Sequence, residues 1–332
     1  MAIRVVHIGL GPVGSAIARQ IAARKGFQLV GGIDVDPAKA DRDLGEVIGL
    51  GRPLRIKVSP EPAKVLKAAR AHVAVLSTGS MLTTVMPQIE QLLKARVAII
   101  STAEELSYPV KRNFRHWKRI DRLARRAKVP VLGTGINPGF VMDVLPLILT
   151  TPCERVDAIV VNRVIDARAR RLPFQQKVGA GLTSEQFKTQ VTEGSVRHVG
   201  FAQSIQMLAD AMGWRLDRVT EEVKPKFANE TVASDYLAVD AGYVSGIVQD
   251  GVGYKNGRAV IRLHLEAYLG APESYDSILI EGAPRLSFTV AGGIHGDAGT
   301  ASVVVNCIPR LLAASPGLRT MRELSIPYCF PG

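Results

Sequence analysis

The amino-acid sequence predicts an α/β chain: a doubly wound parallel sheet first, then an α+β domain built on an antiparallel sheet. Three observations carry this. The chain opens on an apolar run, Ile3-Arg4-Val5-Val6-His7-Ile8, that meets Gly9-Leu10-Gly11-Pro12-Val13-Gly14 and passes straight into a helical pattern over 15–22. Buried-looking runs at 72–78, 97–102 and 129–133 then alternate with helical spacing at 62–69, 86–93 and 111–128, and such alternation means a mostly parallel sheet with helices on both faces. From about residue 155 the texture changes, and stretches such as 155–161 and 259–267 alternate like strands with one covered face.

Each glycine of the first turn has a mechanical part. Gly9 allows the tight exit from the strand, Gly11 presents no side chain to an approaching pyrophosphate, and Gly14 lets the helix lie close on the sheet. The N–H groups of the helix start then face the phosphates. A second strand, 27–34, ends in Asp34, about twenty residues after the last glycine, where a carboxylate grips the adenosine ribose. Strand, glycines, helix and acid in register mark a Rossmann dinucleotide site lined by Gly9, Leu10, Gly11, Pro12, Val13, Gly14 and Asp34. No arginine follows Asp34 until Arg42, so NAD is the preferred cofactor, with NADP tolerated.

Further on, a short strand is expected at 54–58 and a helix after Asn137-Pro138-Gly139. In the second half, helices are expected near 184–191 and 199–212, and Asp250-Gly251 and Asn256-Gly257 read as hairpin turns. A very apolar helix from Gly296 is expected to pack back on the first domain. The resulting division is 1–150 for the nucleotide domain, completed by about 297–332, with 151–296 as the substrate and dimerisation domain.

The 332 residues are 47% hydrophobic yet contain no apolar stretch near twenty residues, so no membrane span is expected. Cys153, Cys307 and Cys329 are too scattered for a disulfide framework or a zinc site and fit a reducing cytoplasm. A net charge of +12 raises nucleic acid as a partner. Much of the excess lies in 111–128, where Phe114, Trp117, Ile120 or Leu123, and Ala127 recur at helical spacing, so the arginines read as the wet side of a helix and no nucleic-acid partner is expected.

Ligands of an open α/β sheet bind beyond the carboxyl ends of its strands. Ser77-Thr78 and Thr102 stand there, suited to the nicotinamide ribose or carboxamide, or else to capping helices. Asn137 reads both as a helix N-cap before proline and as a substrate contact. Glu104 and Glu105 are adjacent, so one of them can enter the cleft while the other faces elsewhere. A carboxylate partly desolvated beside a bound ring is pushed towards the working range of a general base; the bland alternative is a pair of acids favoured by a helix dipole. The six histidines show no metal spacing; His7 reads as a satisfied core residue and His295 as a candidate cleft residue.

The segments Gly9–Gly14, Ser101-Thr102-Ala103-Glu104-Glu105-Leu106-Ser107-Tyr108-Pro109, Gly133-Thr134-Gly135-Ile136-Asn137-Pro138-Gly139-Phe140-Val141-Met142-Asp143 and the run 173–182 resemble the 2,4-diaminopentanoate dehydrogenases and the native amine dehydrogenases related to them. These enzymes have a dihydrodipicolinate-reductase-like nucleotide domain. The resemblance implies NAD(P)-dependent oxidative deamination of an amine to a carbonyl with release of ammonia, or the reverse reductive amination. It places the proton-handling acid at Glu104, with Glu105 as fallback, and Asn137 in the same pocket. A diamino-acid substrate would also need a cation for its carboxylate, and Arg163 is the candidate. The alternatives are a diamino-acid dehydrogenase and a nicotinamide-binding regulatory protein without turnover. The expected partners are a small amine or carbonyl, ammonia, and a second copy of the chain, because the second domain's sheet has an exposed face.

Overall fold

The apolar runs of the first half become the strands of one parallel sheet. In the computed structural model, which describes residues 2–330, the chain forms two compact units, one up to Phe140 and again from His295, the other Val141–Ile294.

The first unit contains β1 (Ile3–Ile8), α1 (Pro12–Ala23), β2 (Phe27–Ile33), α2 (Leu44–Val47), β3 (Val58–Ser59), α3 (Pro62–Ala69), β4 (Val73–Leu76), α4 (Leu82–Lys94), β5 (Ala98–Ser101), α5 (Phe114–Ala127) and β6 (Pro130–Gly133). The returning segment adds α10 (Gly296–Leu312) and β15 (Gly317–Arg319). Strand order is β3-β2-β1-β4-β5-β6-β15, with every pairing parallel. This is the doubly wound order, with its switch point between β1 and β4. Alternate strand residues feed opposite faces: Val6, Ala74, Ile99 and Val131 join the core under α3, α4 and α5. On the helix pair α1 and α10, Gln20 Nε2 reaches Ser302 Oγ at 3.1 Å and Arg24 Nη1 reaches Asn306 Oδ1 at 2.5 Å.

Several expectations are corrected. The strand expected at 54–58 shrinks to Val58–Ser59, because Asp43 takes the N–H groups of Leu54 and Ile56 out of any sheet ladder. Of the apolar face expected on α5, Ile120 is buried with Ala124, and Trp117, Leu123 and Ala127 pack on the same core, but Phe114 is exposed with the Lys118 ammonium over its ring. No helix begins at Asn137. The next one, α6 (Val144–Leu149), is capped by Asp143 and packs on the second unit, so the first unit gives way at Phe140, ahead of residue 150.

The second unit carries β7 (Arg155–Asp166), α7 (Leu172–Lys177), α8 (Ser184–Glu193), α9 (Phe201–Ala211), β8 (Arg218–Phe227), the small pair β9 (Val232–Ala233) and β10 (Ala238–Val239), β11 (Val244–Lys255), β12 (Arg258–Tyr268), β13 (Tyr275–Ala283) and β14 (Leu286–Ala291). Its large sheet, β14-β13-β7-β12-β11-β8, is mixed, since β7 and β12 run parallel while all other neighbours are antiparallel. Asn256-Gly257 makes the β11–β12 hairpin with both residues at positive φ. Asp250-Gly251 does not turn but lies within β11. Gly251 serves packing there: a Cβ would sit 2.7 Å from Phe201 of α9. Among the described residues, no helix is long and apolar enough to cross a membrane.

Candidate active site

Strand register creates the site in the first unit. Ile33, Ile8, Leu76, Ser101 and Gly133 are successive Cα partners across β2, β1, β4, β5 and β6, so these strands reach a common line. The residues that follow are Asp34, Gly9, Ser77, Thr102 and Thr134, side by side at the ~4.8 Å spacing of neighbouring strands. One more backbone bond holds each of the last four: Gly9 N to Ile33 O at 2.9 Å, Ser77 N to Ile8 O at 2.8 Å, Thr102 N to Leu76 O at 3.1 Å, and Thr134 N to Ser101 O at 2.9 Å.

The glycine turn is built for close approach. Gly9 has φ +87°, and a Cβ on Gly14 would lie 1.9 Å from the Gly9 carbonyl oxygen. A Cβ on Gly11, by contrast, would meet nothing within 4 Å, so that side of the turn is open. Pro12 starts α1 and no side chain caps its N-terminus, so the turn presents backbone donors. Leu10 N donates to Asp34 Oδ2 at 2.6 Å, tying the turn to the acid that follows β2. Burial alone would raise the Asp34 carboxyl, but bonds from the N–H groups of Asp36 and Leu10 and from the Lys39 ammonium outweigh it and hold the pKa below the usual range. Between Asp34 and α4 lies a pocket walled by Val35, Pro62, Leu66, Thr78 and Gln91. Thr78 Oγ1 bonds Gln88 Oε1 at its mouth.

Buried polar atoms nearly always find a partner. Ser77 Oγ, Thr134 Oγ1 and Asn137 Oδ1 are buried and have none, and all three lie beyond the carboxyl ends of β4 and β6. Such atoms point to a polar ligand that completes them. Asn137 is not a cap, since the Asp143 side chain takes that part for α6. Its turn is compact: a Cβ on Gly139 would lie 2.6 Å from Thr134 Oγ1, and Ile136 N donates to Thr300 Oγ1 of α10 at 3.2 Å. The sequence places the segment 133–139, Thr134 included, beyond the last strand, but gives Thr134 no role of its own.

The two glutamates separate. Glu105 is 4% exposed; its Oε2 accepts the Leu82 N–H at 2.8 Å and its Oε1 pairs with Arg112 at 2.8 Å. It caps α4, whose own N-cap Met81 has no side-chain acceptor. Expected as the fallback acid and as a substrate contact, Glu105 is instead a buried cap engaged by Leu82 N and Arg112. We expect Glu105→Ala to lower the unfolding free energy in urea by about 2 kcal/mol, the cost of leaving a buried N–H unsatisfied. Glu104 opens the short 3-10 turn Glu104–Leu106 beyond β5 and is half-buried; Ser107 donates to its backbone carbonyl through N at 3.2 Å and Oγ at 2.7 Å.

In the second unit, Arg163 is 3% exposed. Its Nη1 lies 3.2 Å from Asp276 Oδ1, and its Nη2 donates to the Ile294 carbonyl. The neighbouring Ile294 N–H donates to Asp276 Oδ2 at 2.8 Å. This buried guanidinium is ion-paired with Asp276, although Nη1 and Oδ1 complete no hydrogen bond, and its burial against that acid corrects its assignment as an open carboxylate fork. His7 is also corrected: it is buried as expected, but neither ring nitrogen has a partner, and burial pushes its pKa down to about 3. The His295 ring accepts from Ala298 N at 3.4 Å as the cap of α10. Among the described residues, no cluster of three or more His, Cys, Asp or Glu is placed to hold a metal.

Residues 140–332 match the model of the 2,4-diaminopentanoate dehydrogenase C-terminal domain. The chain is 32% identical to a 2,4-diaminopentanoate dehydrogenase of Acetoanaerobium sticklandii, over 99% of this chain and 95% of that one. It is 26% identical to an amine dehydrogenase of Streptomyces virginiae, over 95% and 94%. The solved structure of an amine dehydrogenase from Mycobacterium smegmatis superposes with a TM-score of 0.89 at 24% identity, covering 100% of this chain and 98% of that one.

Proposed function

This chain belongs to the 2,4-diaminopentanoate dehydrogenase family, and from that premise we propose that it is an NAD(P)-dependent amine dehydrogenase with Glu104 as its proton-handling acid. The reaction joins an alkylammonium, water and oxidised nicotinamide to give a carbonyl, ammonium, reduced nicotinamide and a proton; reductive amination runs it backwards. One observation supports the reading above all others: the line Asp34, Gly9, Ser77, Thr102 and Thr134, with unpartnered buried oxygens at Ser77, Thr134 and Asn137, and Glu104 two residues beyond Thr102.

The cofactor, when bound, accepts the substrate hydride. Gly9–Gly14 and Asp34 would hold its pyrophosphate and adenosine ribose, and Ser77, Thr78 and Thr102 its nicotinamide half. Glu104 takes a proton from the substrate ammonium, because only a neutral amine has the lone pair that drives hydride loss. Once that proton has passed to solvent, Glu104 takes another from the water that attacks the resulting iminium and returns it to the nitrogen, which departs as ammonium while the carbonyl forms. Asn137 Oδ1 is an acceptor for an N–H of the substrate and orients it. With Arg163 spent on Asp276, the preferred substrate is an amine or ketone without a carboxylate. The 32% identity to a diaminopentanoate enzyme keeps the diamino acid as a second reading. The free cysteines and the partly exposed outer sheet face of the second unit fit a cytoplasmic homodimer.

Purified protein is expected to bind NADH, seen as enhanced nucleotide fluorescence, and to reduce NAD with amines from a panel of simple amines, amino acids and diamino acids. Absence of turnover with every amine at saturating nucleotide would defeat the proposal. Gly14→Ala is expected to weaken NADH at least tenfold, since its Cβ would collide with backbone and force the phosphate turn open. Unchanged titration would remove the turn from the nucleotide site.

A further inference from the structure

Both oxygens of the ribose acid are already engaged by the protein. Asp34 Oδ2 accepts from Leu10 N at 2.6 Å and from Lys39 Nζ at 3.2 Å, and Oδ1 accepts from Asp36 N at 2.9 Å. The same ammonium lies 3.2 Å from Asp36 Oδ2. A tight turn brings it there, with Lys39 N bonded to Asp36 O at 3.0 Å and Ala38 N to Asp36 Oδ1 at 3.0 Å. Arg42, the first arginine after the strand, is turned to Glu46 at 2.7 Å and to the Ala38 carbonyl. Lys39 is thus the cation held at the ribose end, its side chain one-quarter exposed beside a pocket that Asp34 itself lines.

We infer that Lys39 is the residue through which this site accepts a 2′-phosphorylated dinucleotide, making the enzyme dual in its cofactor while Asp34 keeps the preference for the free 2′-hydroxyl. The inference rests on the nucleotide-binding reading above. A 2′-phosphate placed against Asp34 and Asp36 alone would meet two like charges. An ammonium has three donors and swings on a flexible stem, so Lys39 can keep one bond to Asp34 and give another to the phosphate. The carboxylates still compete for it, so NADP binds more weakly than NAD.

Fluorescence titration of the full chain with NADH and NADPH, at low and high salt, tests this without reference to turnover. Wild type is expected to bind both, NADH more tightly, and NADPH with the steeper salt dependence. Lys39→Ala should weaken NADPH about tenfold or more, the loss of one charge-assisted bond, and NADH by less than about threefold; Lys39→Arg should restore NADPH. Equal weakening of both nucleotides would reduce Lys39 to a prop for Asp34 and overturn the inference. So would wild type that binds NADH but not NADPH, or a Lys39→Ala protein with NADPH affinity intact. Wild type that binds neither nucleotide would instead overturn the nucleotide-site reading on which the inference rests.

Discussion

Glu104→Gln is expected to cut turnover with any amine substrate about 10³-fold, inside the 10²–10⁴ range of a positioned general acid or base, while NADH affinity stays within about twofold. Glutamine keeps the length and shape of the side chain and can still hydrogen-bond, but it cannot take up a proton. Both proton transfers are lost together, from the substrate ammonium and from the attacking water. Steady-state kcat with a nucleotide titration in parallel checks this. Turnover within tenfold of wild type would move proton handling elsewhere. Glu105→Ala supplies the internal contrast: it removes the cap of α4 and the partner of Arg112, so its signature is lost stability.

Acid should destabilise the first unit through His7. The imidazole is fully buried in β1 with no partner for either nitrogen, and desolvation, opposed only by the charge of Asp34, holds its pKa at about 3 against 6.5 in an exposed side chain. The folded protein therefore keeps this ring neutral while the unfolded chain protonates it below pH 6.5. Its stability contribution is whole above pH 6.5 and falls away as the pH drops towards 3, by on the order of 5 kcal/mol in all. Between pH 6.5 and 4.5 the loss is about 2–3 kcal/mol. Urea unfolding of wild type and His7→Leu at these two pH values measures it, since leucine keeps an apolar filling and removes the titration. Equal pH slopes for the two proteins would show that His7 takes its proton inside the fold.

The phosphate turn was legible because its chemistry is local. Gly9, Gly11 and Gly14 act within six residues, and Asp34 closes the unit at a spacing set by one helix and one strand. Hydroxyl-bearing strand ends were also readable one at a time, at Ser77 and Thr102. Their convergence beyond the carboxyl ends of the strands follows from the parallel sheet, but the exact register of Ile8, Leu76, Ser101 and Gly133 is decided by strands far apart in sequence. Arg163 misled because an arginine in an apolar strand looks available until Asp276 from β13 is brought alongside. Asp250-Gly251 misled because the glycine answers to Phe201 across the packing of α9, not to a bend in its own strand.

From linear order alone came the α/β class, the glycine turn between β1 and α1, the acid at the end of β2 and the adjacent pair of glutamates. These depend on contacts within a few turns or on hydrophobic period, and both are written in neighbouring residues. Folding decided which glutamate is which. The N-terminus of α4 and Arg112 claim Glu105 as a buried cap, whereas Glu104 is half-buried in the turn beyond β5. Folding also made the second sheet mixed, buried Arg163 against Asp276 and set Lys39 on Asp34. Each of these outcomes depends on which distant group reaches a charge or a backbone donor first as water is excluded, and local pattern carries no record of that.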